Sequence, residues 1–409
     1  MSRFLIVYKK LFNLGNFSRA LLIIPKPLLL WLSIQLDSDA GLAIAQIYLI
    51  GLLFMALLGT NAHRPFYQIY FGINDLTVTK NVAKIYSHYI QKITLQFVFI
   101  IITAILVAFV FFWNSFEIVI LGIIFGIAEK LYDEYNRFVQ FKNANKLLFN
   151  IALIKFVPAL LAGFLSYKLS VDIKYSFTAL LLFTSVFINR STIYFAICYL
   201  IESIRKSFFE TLKLSLKKIL EDISQISCIF IGIGLIHIEK WLLQYFSAND
   251  LPIYMLYYQF ASVLMFFQAI ILIAPVRAKL IKMNPWQIIS LKIGSPIISF
   301  ISLLVGIALY FYNILEGRSN IGYFSFFFAA IIILENPYSE CLYWRTTARV
   351  RLSLDLLITF MAILYFVVLK IFWPLSNLIA LTFMGLFCLM ILRFLVIVYL
   401  LNKIKLHVS

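Results

Sequence analysis

Apolar residues run through this chain in long unbroken stretches separated by short polar segments. Neither the alternation of a half-buried strand nor the narrow apolar stripe of a surface helix dominates. A helix that crosses a bilayer needs about 20 mostly apolar residues. That measure predicts spans over 19–36, 41–61, 91–113, 116–135, 147–167 and 175–201, then 223–246, 252–275, 288–311, 320–341, 352–372 and 375–401. The expected fold is an all-α polytopic membrane protein of about twelve transmembrane helices. The longest polar stretch, 203–222, divides them into two six-helix lobes, 1–202 and 223–409.

Composition agrees with this pattern: hydrophobic residues are 63% of the chain and charged ones 13%, roughly half of what a soluble domain carries. A net charge of +17 would point to nucleic acid in a soluble protein. Here its meaning is topological, because Lys and Arg accumulate in cytoplasmic loops. With a cytoplasmic N-terminus, Arg3, Lys9, Arg64, Lys80, Arg137, Lys142, Arg205, Lys213, Arg277, Arg345 and Lys403 all fall inside. Only Lys168, Lys174, Arg318 and Lys370 fall outside. Both termini are therefore expected in the cytoplasm. The first apolar stretch is long enough to span and ends in Asp37 and Asp39 without a small-residue cleavage site, so an uncleaved helix is expected there.

In the 203–222 segment Phe208, Phe209, Leu212, Leu214, Leu216 and Ile219 interleave with Arg205, Lys206, Lys213, Lys217 and Lys218. That pattern suits a helix lying on an anionic inner membrane surface; a solvated tether is the plainer alternative. Cys198, Cys228, Cys341 and Cys388 show no metal-ligand spacing and read as buried apolar side chains.

A shift of 210 residues lays the first two spans on the seventh and eighth, with Ile23 on Ile233, Trp31-Leu32 on Trp241-Leu242, Met55 on Met265 and Pro65 on Pro275. Both halves begin on the cytoplasmic side, so the repeat is parallel. The hairpin Ile238 to Ala261, where acidic Glu239 opens an apolar run, resembles the multidrug/oligosaccharidyl-lipid/polysaccharide exporter superfamily. Within it the likeness is to bacterial flippases for lipid-linked O-antigen or capsule repeat units. Leu251-Pro252 stands where those proteins usually have a glycine, and Leu36 to Tyr48 matches more loosely. The resemblance implies two lobes, a lipid-linked oligosaccharide substrate, residence in a bacterial inner membrane and contact with polysaccharide-assembly proteins.

Charges inside the spans are the candidate functional groups, since each costs at least about 3 kcal/mol to insert. Lys26 lies between Pro25 and Pro27, which would kink the helix and open it to a cavity. Lys155, followed by Pro158, fits snorkelling to the inner surface and cavity lining equally well. Arg190, beside Asn189, Ser191 and Thr192, is too deep to snorkel; its counter-charge must come from another helix or a ligand. Glu239 and Lys240 could reach outer headgroups, and Glu335, before Asn336-Pro337, is a candidate coupling carboxylate with an ion pair as its plainer role. Lys292 and Arg393 are expected to snorkel.

Lys26, Arg64, Lys155, Arg190 and Arg277 form the expected substrate-binding set, with Glu335 and Glu239 for ion coupling. Cations on these helices resemble the way flippases of this superfamily receive a pyrophosphate headgroup. Tyr254, Tyr257, Tyr258, Trp31 and Trp241 could stack on sugar rings. No Walker loop, metal-ligand cluster or nucleophile elbow occurs, so no cofactor or metal and no enzymatic role is expected. Two other functions compete with the flippase. A cation-coupled drug or small-molecule antiporter would need carboxylates in its cavity, and a lipid-linked glycan polymerase would need a larger outer loop.

Overall fold

A computed structural model describes residues 21–58, 115–141, 145–206, 238–246, 248–256, 348–372 and 375–403, with isolated positions elsewhere. The described residues are helical, with no strand among them. The chain forms two compact units, one of residues 32–234 and one of residues 1–31 with 235–409. The expected spans at 252–275, 288–311 and 320–341 lie largely or wholly outside the described residues, as does about half of 91–113 and of 223–246.

Among the described residues the first unit holds six helices: α1 (Pro25–Leu36), α2 (Ser38–Leu57), α3 (Phe116–Phe141), α4 (Asn145–Leu169), α5 (Ile173–Ile188) and α6 (Arg190–Lys206). The unit boundary falls inside α1, after Trp31. Pro25 and Pro27 sit in the first turn of α1, after a turn at residues 22–24 that follows helical positions at Ser18 and Leu21, so the helical path is interrupted just before the prolines. The expected outer loop between the first two spans shrinks to Asp37, whose carbonyl accepts from the Gly41 N–H at 3.0 Å. Gly41 permits the tight reversal, because a Cβ there would lie 3.0 Å from the Ile34 side chain.

On α3, Gly122, Phe125, Gly126, Glu129 and Tyr132 recur at helical spacing and form one stripe. Its upper part packs on α2 with almost no separation. A Cβ on Gly126 would come within 2.8 Å of the Gly51 carbonyl oxygen, and one on Gly122 within 2.6 Å of Ile50. Small residues spaced by four allow this approach, which membrane helices use because lipid supplies no hydrophobic drive for packing. Tyr48, Phe125 and Phe177 then cluster between α2, α3 and α5, with ring centroids 4.9 to 6.4 Å apart.

Among the described residues two helices, covering Ser38–Met55 and Lys146–Leu169, are long and apolar enough to cross a membrane. A third crossing counts if α5 and α6 together form one bent span. The outward face of α4 is apolar, with Leu153, Val157, Leu160, Leu161 and Phe164 exposed, while Glu129, Lys130 and Lys155 are buried. Polar groups inside and apolar ones outside is the distribution expected with lipid as the surrounding medium.

In the other unit, α7 (Ile238–Phe246) is followed by a 3-10 turn (Ala248–Asp250). Further along the chain, α8 (Ala348–Phe372) packs against α9 (Leu375–Lys403). Their exposed side chains include Leu356, Leu357, Phe360, Ile363 and Leu395. Arg393 does not snorkel. It is buried and donates through Nε (3.1 Å) and Nη2 (2.9 Å) to Asp355 Oδ1, joining the two helices. Cys198 and Cys388, expected to be buried, are exposed on helices whose outer faces are apolar.

Candidate functional site

The expected sixth span, 175–201, is not one helix. α5 ends at Ile188, α6 begins at Arg190, and the two axes bend by 83°. Asn189 makes the break. Its own N–H donates to the Ser185 carbonyl (3.1 Å), and its side-chain amide donates to the carbonyls of Ser185 (2.9 Å) and of Leu131 on α3 (3.0 Å). A buried Asn at a helix end satisfies groups that would otherwise be orphaned, which lets the chain turn within an apolar segment. The Asn189 carbonyl in turn accepts from the Ile193 N–H at 2.9 Å and starts α6.

Arg190 stands at this break, exposed, with its guanidinium over the Phe187 ring 5.3 Å from the centroid. The first turn of α6, Arg190-Ser191-Thr192, directs its backbone N–H groups toward the break, because the opening turn of a helix has no intrahelical acceptors for them. A guanidinium, a helix N-terminus and two hydroxyl residues make an environment suited to an anion.

Lys155 is placed differently from either role expected for it. Its Nζ donates to Glu129 Oε2 at 2.8 Å, with the two side chains only 7% and 4% exposed. The Tyr132 ring lies beneath the ammonium, 5.2 Å away at its centroid. The Tyr132 hydroxyl donates to Thr184 Oγ1 on α5 at 2.8 Å, and Thr184 donates back to the Leu180 carbonyl at 2.9 Å. A single turn of α3, residues 129 to 132, therefore holds Lys155 of α4, Thr184 of α5 and the Asn189 break.

Glu129 was not among the expected site residues. It falls within the expected fourth span, 116–135. The helix α3 continues to Phe141, and Lys130 is buried and pairs along it with Glu134 (2.9 Å) and Asp133 (3.9 Å). The alternating acids and base at 129, 130, 133 and 134, spaced to pair along a helix, were the available signal.

Lys240 does not reach a headgroup: it is fully buried, with its Nζ 3.4 Å from the centroid of the Tyr258 ring. Glu239 is the second residue of the same helix, α7. Tyr254 is buried, so it does not present a face for a sugar, whereas Trp31 is exposed. Lys26 is half-buried near the start of α1. Arg64, Arg277, Lys292, Glu335 and Tyr257 lie outside the described residues, so the expected substrate-binding and ion-coupling sets are represented here by Lys26, Lys155, Arg190 and the backbone position of Glu239. At the other end of the same unit, Lys174 pairs with Glu117 (2.7 Å) and Asp172 (3.4 Å), tying the starts of α3 and α5 together.

Among the described residues no group of His, Cys, Asp and Glu has a geometry that could hold a metal ion. No protein-family model, curated protein or solved structure matches the chain.

Proposed function

We propose that this chain is a bacterial inner-membrane transporter that moves a polyprenyl-diphosphate-linked oligosaccharide from the inner to the outer leaflet by alternating access. Its full architecture in this reading is about twelve transmembrane helices in two six-helix lobes related by a parallel repeat, 1–202 and 223–409. They are joined by the cytoplasmic amphipathic linker 203–222, with both termini inside. The proteins it would meet are those that assemble polysaccharides. It binds no nucleic acid and uses no cofactor.

The observation that carries this reading is Arg190 at the broken span. An exposed guanidinium beside a helix N-terminus, on an 83° bend between two apolar helices, suits a diphosphate that must pass through an apolar layer. Arginine offers a fork of donors that matches phosphate oxygens. Lys155 is already paired with Glu129, so the anion contact falls on Arg190, with Lys26, Arg64 and Arg277 as further contacts that the family resemblance suggests.

The direct test uses the full chain in proteoliposomes with a fluorescent polyprenyl-diphosphate oligosaccharide, scored by access of an external glycosidase. Wild type should move the probe, Arg190→Lys should keep part of the rate, and Arg190→Gln should abolish it at normal protein levels. Wild-type flipping that Arg190→Gln leaves unchanged removes Arg190 from the mechanism.

A cation-coupled antiporter is the second reading, favoured by Glu129, a carboxylate inside the helix bundle. In the same vesicles, uptake of a cationic dye without movement of the lipid probe would select it.

A further inference from the structure

The Glu129–Lys155 pair is deeper than a surface ion pair and more closely connected than packing requires. Removing two charges from water is poorly repaid inside an apolar bundle, and apolar residues of similar volume are often as stable or more so. Ionisable groups kept within membrane helices commonly belong to ion pathways or proton relays. This pair also shares its α3 turn with the helix break, through Tyr132 to Thr184 and through the Leu131 carbonyl to Asn189.

From this geometry we infer that Glu129 and Lys155 form a proton-binding site whose occupancy sets the bend at Asn189–Arg190. The inference rests on the transport reading above and supplies its coupling ion. The ligand is a proton rather than a metal cation, because the Lys155 ammonium, 2.8 Å from Glu129 Oε2, already fills the place a sodium ion would take. A proton from water adds to a Glu129 carboxylate oxygen and gives a neutral carboxyl group. Lys155 keeps its proton, so the pair passes from zero net charge to +1 and the ammonium–carboxylate attraction is lost. The ammonium retains the Tyr132 ring.

Among the described residues, three titratable side chains face Glu129. Tyr48 of α2 and Tyr132 of α3 interact with it electrostatically, and Lys155 of α4 is its partner. α5 carries its titratable side chains, Lys174 and Tyr175, in its first turn, where Lys174 is engaged by Glu117 and Asp172. On α3 itself, Lys130, Asp133 and Glu134 pair with one another. Protonation of Glu129 thus acts on one turn of α3, and that turn holds the break.

The test needs no substrate. The full chain, spin-labelled at exposed Ala179 on α5 and Ile201 on α6, is placed in lipid nanodiscs and moved from about pH 8 to about pH 5, across the carboxylate range. Wild type should show a shift in the label-to-label distance together with an infrared band of a newly protonated carboxyl group. In Glu129→Gln/Lys155→Met, which removes both charges of the pair, both the shift and that band should vanish while the protein remains folded. Persistence of the shift in the folded double variant would overturn the inference and leave the pair a structural clamp. The single variant Glu129→Gln serves as a second check: if it folds, it should hold the low-pH distance at both pH values. If the pH response follows Glu129 but wild type moves no lipid probe, the transport reading fails and the proton site stands. If the probe moves and the response ignores Glu129, the reverse holds.

Discussion

The side-chain amide of Asn189 reaches the Leu131 carbonyl of the neighbouring helix at 3.0 Å, and that bond fixes the sharp turn between α5 and α6. A leucine there would remove both the donor and the reason to stop the helix. Asn189→Leu should let 173–206 run as one helix, lengthening the Ala179–Ile201 label distance by about 8 Å at 1.5 Å rise per residue. An unchanged distance would mean that packing, and not Asn189, imposes the bend.

Asp355 and Arg393 join α8 to α9 in a buried pair. Removing either member takes a buried opposite charge from the other, so Asp355→Asn or Arg393→Met should each destabilise the protein by about 3–5 kcal/mol. Asp355→Leu/Arg393→Met should recover most of that loss. The measurement is the unfolding midpoint of the purified protein in detergent, taken for both single variants and the double.

Gly126 faces the Gly51 carbonyl across the α2–α3 contact, where a Cβ would meet backbone oxygen at 2.8 Å. Gly126→Val should push the helices apart and lower stability by about 1–3 kcal/mol, as overpacking does. Gly163→Ala is the control, since its Cβ would meet only the end of the Leu32 side chain, at 3.0 Å, and that can turn aside. Thermal unfolding should separate the two variants clearly.

Topology can be checked at the ends of α4 and α5. The charge asymmetry places Val171 outside and Lys146 inside, and both are exposed. With an impermeant thiol reagent on intact cells, Val171→Cys should label and Lys146→Cys should not. The opposite pattern would invert the orientation.

The apolar pattern by itself predicted helices, which the described residues form, and its stretches 41–61 and 147–167 overlap the helices Ser38–Met55 and Lys146–Leu169 that are long and apolar enough to cross a bilayer. It also singled out Arg190 as a candidate, though the depth expected for it assumed an unbroken span over 175–201, which the bend at Asn189 removes. These are local properties, set by hydropathy, helical rise and the cost of burying charge, and each is legible along a single segment. What neighbours a charge is not local. Tertiary packing decided that Lys155 meets Glu129, 26 positions earlier, and that Arg393 meets Asp355, 38 positions earlier. It likewise decided that Asn189 breaks a span whose composition reads as continuous. In each case a polar group in an apolar medium must find a partner on another helix, and which helix lies within reach depends on close approaches such as Gly51 to Gly126 that one segment cannot reveal.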